Sequence, residues 1–342
     1  MSDTELRVLL EQLLMGNSIG EAGAATVMGA LAEGDVPPAM AGALLAALRA
    51  KGEDADEIRG FAREMRTRAR QPAIAAETPA VDVVGTGGDG SGSYNLSTGA
   101  GLLAAAAGAL VVKHGNRSVS SKSGSADVLE TLGVPLELPP EAAGHCLAAA
   151  CFVFLFAPIY HPAMKAVVPV RQALRVRTVF NVLGPLTNPA QPPFQVIGAY
   201  REDVAALMAN ALSGLPIERA FVIHGENGWD EATPVCPFTV FDVRPGVVTR
   251  TTRTPEDYAL ARCAPEDLAG GDAAYNAAAL KAVMTGEDRG AHADALLLAA
   301  SLVLEVAGLA ATPEAGVEQA RAAIDDGRAA AVLARLAAVT GE

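Results

Sequence analysis

The sequence predicts an α/β protein in two parts: a small all-helical domain, then a larger domain with a mainly parallel central sheet. Three observations predict it. Residues 1–70 carry only helical signals; 71–80 (QPAIAAETPA) form a linker with Pro72 and Pro79; beyond it, short β-branched runs alternate with Ala/Leu-rich stretches. With 342 residues, one large or two linked domains are expected. The segment at about 165–190, broken by Pro169, Pro185 and Pro189, is expected to return to the helical domain. The expected division is therefore 1–70 plus about 165–190, against 71–164 and 191–342.

The helices come first. Ser2-x-x-Glu5 and Ser18-x-x-Glu21 have the spacing of capping boxes, in which the Ser caps orphan N–H groups and the Glu reaches back. Pro37 and Pro38 open a third helix and Gly52 follows its end. A fourth runs from about Asp54 to Arg70, with Ile58, Phe61 and Met65 on its apolar face. Strands are expected at 81–84 (VDVV), 109–114 (ALVVKH), 151–156 (CFVFLF), 194–200 (FQVIGAY) and 219–225 (RAFVIHG), with a helix at 97–108. Such alternation places helices on both faces of a parallel sheet.

Composition excludes several classes. The net charge of −13 argues against a general nucleic-acid binder, which presents a basic face. Aromatic residues at 4% leave few base-stacking platforms. Cys146, Cys151, Cys236 and Cys263 are too scattered for a disulfide framework, and no C-x-x-C pair suggests zinc. The acidic amphipathic start lacks the basic region and apolar run of a signal peptide, so a cytoplasmic protein is expected. Residues 144–164 carry no Asp, Glu, Lys or Arg, but Pro158, Pro162, His145 and His161 interrupt them. A buried helix end, a buried strand and a turn are expected there, not a membrane span.

Four segments carry chemistry. The first, Val83–Thr98 (VVGTGGDGSGSYNLST), reads as strand, glycine loop and helix opening. Its glycines let backbone N–H groups approach an anion, and the helix adds its positive end. Gly85-x-Gly87-x-x-Gly90 matches a dinucleotide fingerprint, but that site wants an acid after the next strand, where Lys113-His114 stand. The second, Lys113–Glu130, holds Lys113, Arg117 and Lys122 among five serines, a composition suited to clamping phosphate. The third is a window, Ala142–Arg201, without Asp or Glu, where the chain average gives about seven. Its bases Lys165, Arg171, Arg175, Arg177 and Arg201 suit an anion. The fourth is Asp230-Glu231, a solvated acidic turn or a pair converging on one hard cation.

Taken together, GTGGDG…NLST, KHGNR…S-KSGSADVLE, FLFAPIYHPAMK, VR…RT-FN-LGPLTNP and DE, in this order over nearly the whole chain, resemble the anthranilate phosphoribosyltransferase family. The resemblance implies a fold similar to the pyrimidine nucleoside phosphorylases, with the active site in a cleft between a helical and an α/β domain. It implies transfer of a phosphoribosyl group from phosphoribosyl diphosphate (PRPP) to anthranilate in tryptophan biosynthesis, magnesium (two ions), and a homodimer formed through the helical domain. Carried over residue by residue, it places PRPP on Gly85, Gly87, Gly88 and Asp89, on Ser93, Asn95, Leu96, Ser97 and Thr98, and on the loop from Lys113. That loop runs through His114, Gly115, Asn116, Arg117, Ser118, Val119, Ser120 and Ser121, with Ser125 following. Gly85, Asn116 and Arg171 match anthranilate contacts, the Arg pairing with the carboxylate. Ser97 matches a ligand of one magnesium, and Asp230 and Glu231 match the acids holding the second. Three positions depart from the family pattern. Arg175 stands where many members have Gly, Trp229 where smaller apolar residues are usual, and Leu298 where Asn is common.

The residues also suit this chemistry on their own terms. N–H donors and a hard cation stabilise charge building on a departing diphosphate, and holding both substrates together supplies much of the remainder. His114 could accept the amine proton late, or be a structural histidine at a strand end. Two other classes remain open at this point. A nucleoside phosphorylase on the same fold would need base-binding groups in place of Asn116 and Arg171; a non-catalytic nucleic-acid-binding relative would need a basic surface.

Overall fold

The computed structural model describes residues 3–118 and 122–339. Four helices open the chain: α1 (Asp3–Leu14), α2 (Gly20–Glu33), α3 (Pro38–Lys51) and α4 (Ala55–Arg68). Pro38 opens α3 and Gly52 ends it, as the sequence indicates. Ser2 lies outside the described residues, so its capping box has no structural counterpart to report. The Ser18-x-x-Glu21 box does not form: α2 starts after Ile19 with no side-chain cap. The Ile19 N–H donates instead to Glu57 Oε1 (3.1 Å), and Glu21 turns away to pair with Arg59 (3.2 Å) and Arg63 (2.9 Å). A neighbouring helix outcompetes the local cap. The capping box that does form, Asp54 with Glu57, opens α4. Glu57 is fully buried and also accepts from Lys51 Nζ (2.9 Å), tying α2, α3 and α4 at one carboxylate.

The α/β part follows. Its elements up to the third strand are β1 (Ala80–Gly85), α5 (Leu96–Ala106), β2 (Leu110–Gly115), α6 (Ser125–Thr131), α7 (Ala143–Ala150) and β3 (Phe152–Phe156). The acid-free segment then holds α8 (Ala157–Tyr160), α9 (Val168–Leu174) and α10 (Phe180–Leu183). No helix among the described residues is long and apolar enough to cross a membrane. After it come β4 (Phe194–Gly198), α11 (Glu202–Ser213), β5 (Arg219–Gly225), β6 (Phe238–Arg244) and β7 (Val247–Arg253). The chain closes with α12 (Ala273–Met284), α13 (Ala291–Val306), α14 (Pro313–Asp325) and α15 (Arg328–Ala338).

The sheet has seven strands in the order β3-β2-β1-β4-β5-β6-β7. From β3 to β5 every pairing is parallel; β6 and β7 add an antiparallel hairpin on one edge, which the strand runs picked out above do not include. Successive residues of β5 point to opposite faces. Phe221 and Ile223 join a core with α5 and α13, while Ala220 and Val222 join one with α11 and the N-terminal helices. That second core also takes in Val167, Val179, Phe180, Val182, Leu183 and Leu186. These apolar positions pack the acid-free segment with the helical domain. The fold is thus a small helical N-terminal domain on a larger α/β domain.

Candidate active site

The chain runs from β1 to β2 on one side and reaches β4 on the other, so β1 and β4 flank the topological switch point where open α/β sheets bind ligands. The glycine loop leaves β1 there. Thr86 N–H donates to Gly198 O (2.9 Å) and Gly87 N–H to Asp230 Oδ2 (2.6 Å). A Cβ on Gly85 would stand 2.4 Å from Asp230 Oδ2, so only glycine admits that carboxylate. Asp89 Oδ1 accepts from Ser91, whose hydroxyl meets Ser93 Oγ at 3.1 Å. Asn95 precedes α5, and Leu96, Ser97 and Thr98 form its first turn. Thr98 Oγ1 is buried without a partner.

The second loop leaves β2. Lys113 is almost fully buried, and its Nζ donates to Val83 O and to Ser97 Oγ (3.3 Å), bringing the two strand ends together. Burial lowers its pKa, opposed by Asp82, Glu231 and Asp230. Asn116 O accepts from Ser125 Oγ (3.2 Å), and Gly115 lies so near that a Cβ would be 2.5 Å from the same hydroxyl. Asn95 Nδ2 donates to Ser123 O (3.3 Å), linking the loops. Arg117 is not a free phosphate clamp here: it is exposed and pairs with Asp127 (3.0 Å) and Glu130 (2.8 Å). Ser118 N–H donates to Asp127 Oδ2 (3.1 Å). Val119, Ser120 and Ser121 lie outside the described residues.

Asp230 and Glu231 do not form a solvated acidic turn. Asp230 is buried; burial, then the Asp89 carboxylate, raise its pKa. Burial, then Asp230, raise that of Glu231 well above the carboxylate range, with Lys113 opposing. Desolvated acids beside Asp89 are what a hard cation relieves. Among the described residues no three Asp, Glu, His or Cys side chains could hold a metal ion by themselves. Magnesium needs only one or two carboxylates when a hydroxyl, water and phosphate oxygens complete its shell. Ser97, Asp230 and Glu231 fit that donor set.

His114 departs from the role of late proton acceptor. Burial, then the neighbouring His161, lower its pKa to about 3, far too weak a base for a proton at neutral pH. The two rings pack edge to face with centroids 5.1 Å apart. Arg171, on α9, holds its guanidinium over the Phe180 ring, 5.3 Å from the centroid, in the acid-free segment. Of the other bases there, Arg201 is no free anion ligand, because it pairs with Asp203 (2.8 Å). Arg175 adopts φ 52°, the left-handed conformation that glycine takes at about 1 kcal/mol less. Trp229 and Leu298 are buried in the core.

Sequence reasoning passed over several contributors. Asp82, buried in β1, accepts from Asn188 Nδ2 (2.9 Å) and His114 N (3.2 Å) and so braces the end of β2. An acid inside an otherwise apolar strand was the available signal. Asn276 Nδ2 donates to Asn95 Oδ1 (2.8 Å) from α12, a contact no local pattern announces.

A helical bundle beside a mainly parallel sheet, with a glycine loop and an acid pair at the carboxyl ends of the strands, is the architecture of a glycosyl transferase family. Residues 7–69 match the helical bundle domain of the glycosyl transferase family, and residues 77–330 match its a/b domain. The anthranilate phosphoribosyltransferases of Rubrobacter xylanophilus and Moorella thermoacetica are each 44% identical to this chain. The alignments cover 98% of this chain and 97% of the first, and 97% of this chain and 98% of the second. The crystal structure of the Thermus thermophilus anthranilate phosphoribosyltransferase superposes with a TM-score of 0.90 at 45% identity, over 96% of this chain and 98% of that one. The Saccharomyces cerevisiae enzyme in complex with PRPP and Mg also gives 0.90, at 25% identity over 98% of both chains. The chain belongs to the anthranilate phosphoribosyltransferase family.

Proposed function

We propose that this protein transfers the 5-phosphoribosyl group of PRPP to the amine of anthranilate, releasing diphosphate, as a step of tryptophan biosynthesis. The observation that carries the reading is the convergence of the glycine loop, the start of α5, Lys113 and the acid pair at the carboxyl ends of the parallel strands. In this reading the loop from Gly85 to Asp89, through the N–H groups of Gly88 and Asp89, cradles the diphosphate together with Ser93, Asn95 and the first turn of α5. Lys113, Gly115, Asn116, Arg117, Ser118 and Ser125 contact PRPP from the second loop. Gly85, Asn116 and Arg171 receive anthranilate, the Arg171 guanidinium pairing with its carboxylate.

Ser97 would hold one magnesium ion and Asp230 with Glu231 a second, and ions bound there would offset charge developing on the leaving diphosphate. The anthranilate amine is neutral near pH 7 and attacks C1 of the ribose as the C1–O bond to diphosphate breaks; the proton that the nitrogen then sheds passes to solvent water, so no strong base is needed. His114 is assigned a packing role, since its neutral ring is held by burial. No covalent intermediate is invoked. The division of the chain into 1–70 with about 165–190, against 71–164 and 191–342, is part of this reading, and the shared core of the acid-free segment and N-terminal helices supports it. A homodimer through the helical domain is supported by Val8, Leu14 and Met15, large apolar side chains exposed on or just after α1. Four free cysteines suit a reducing cytoplasm.

The test follows anthranilate fluorescence with PRPP and magnesium, beside thymidine plus phosphate. Loss of anthranilate above a heat-inactivated control is expected, and no phosphorolysis. Folded protein that leaves anthranilate untouched overturns the assignment.

A further inference from the structure

The glycine loop is moored from two directions. From the α/β domain, Asp230 Oδ2 accepts from Gly87 N–H (2.6 Å) and Thr86 Oγ1 (3.4 Å). From the acid-free segment, Arg177 Nη2 donates to Gly88 O at 2.6 Å, although the two residues stand 89 positions apart. Arg177 follows α9, between the left-handed Arg175 and the Val179 and Phe180 side chains that pack with the helical domain. Its guanidinium lies over Tyr200, 3.9 Å from the ring centroid. Tyr200 N–H in turn donates to Thr86 Oγ1 (3.2 Å), so the platform under Arg177 is itself bonded to the loop.

A loop that binds an anion through N–H groups must turn its carbonyls away. Gly87 (φ 67°) and Gly88 (φ 72°) are consecutive left-handed residues, and peptides flanked by glycine reorient at little cost. Gly88 O therefore needs a fixed donor. We propose that Arg177 is a positioning residue of the diphosphate cradle: by holding Gly88 O it fixes the Gly88–Asp89 peptide and turns the Asp89 N–H toward PRPP. The inference rests on the reading of Gly85–Asp89 as that cradle. A guanidinium can donate to the carbonyl while stacked on the tyrosine; an ammonium can donate but has no plane to stack.

Charge-assisted hydrogen bonds are worth roughly tenfold or more in an equilibrium. Arg177→Ala should raise the KM for PRPP about tenfold, change the KM for anthranilate by less than about twofold, and quicken hydrogen exchange over residues 85–92. Arg177→Lys should recover part of the PRPP affinity and of the exchange protection. An unchanged PRPP KM, an equal rise in both constants, or unaltered exchange in Arg177→Ala would overturn the proposal. A wild-type protein that does not consume PRPP would sink the functional reading instead, and the exchange measurement would then decide alone whether Arg177 holds the loop.

Discussion

The loops after β1 and β2 have similar composition and opposite mooring. The first is held by residues far away in the chain: Asp230 on Gly87, Arg177 on Gly88, Gly198 on Thr86. The second, in its described residues, is held mainly by its own neighbourhood. Asp127, in the first turn of α6, accepts from Gly124 N (2.8 Å), Ser118 N (3.1 Å) and Arg117 (3.0 Å). One link to the first loop is the contact from Asn95 to Ser123 O. A loop pinned by distant segments reports on the closure of the whole molecule. A loop pinned by the helix it precedes keeps its shape locally.

The largest effect is expected where the first mooring and the acid pair coincide. Asp230→Asn with Glu231→Gln removes the acceptor of Gly87 N–H in its charged form together with both carboxylates assigned to the second magnesium. Kcat/KM should fall about 100- to 1000-fold, the range seen when preorganised charge stabilisation is removed, with a normal circular dichroism spectrum. A magnesium activation curve like that of the wild type would break the contrast. Next comes Arg171→Ala, which touches neither mooring. The KM for anthranilate should rise about ten- to a hundredfold while that for PRPP moves little. If the PRPP constant moves most, Arg171 belongs to the phosphate site.

A smaller effect is expected at the second loop. Burial raises the Asp127 pKa, but the N–H groups of Gly124 and Ser118 and the Arg117 guanidinium outweigh it and leave the carboxyl below its ordinary value. Asp127→Asn should destabilise by about 1 kcal/mol, as loss of a cap does, and raise the PRPP KM by only a few-fold. Thermal melting and kinetics check both, and a loss as large as that of the acid pair would make the second loop as critical as the first.

The smallest effect concerns pH. His161 has its pKa lowered by burial to about 4, and His114 lies at about 3. Both are neutral when folded, while the unfolded chain takes protons near 6.5. Their contribution to stability is full above about pH 6.5 and declines as pH falls toward 4. The melting temperature should therefore drop across that window, less steeply in His161→Gln. Equal slopes would mean that the His161 imidazole is not desolvated in solution.

Much of the architecture was legible. The five parallel strands, α3 between Pro38 and Gly52, and the glycine loop at a strand end all rest on local period and turn chemistry. The β6–β7 hairpin was passed over although Pro245-Gly246 separates two β-branched runs; β7 is an exposed edge strand, TTR-rich and without an apolar stripe. The Ser18 cap fails because the helix starts after Ile19, whose N–H is held by Glu57, and Glu21 is drawn to Arg59 and Arg63 of another helix. Arg117 and Arg201 were expected to serve anions, yet carboxylates nearby occupy both.

By itself, then, the sequence determined the order and type of most elements, the glycine turns, and the chemical character of the strand ends. These depend on residues a few positions apart, whose φ preferences and periodicity act before any fold exists. Only the tertiary structure decided that Asp230 is desolvated, that His114 is neutral, and that Arg177 closes on Gly88. Each depends on burial or on partners up to 144 residues distant. Desolvation and long-range hydrogen bonds are properties of a packed chain, and no local pattern carries them.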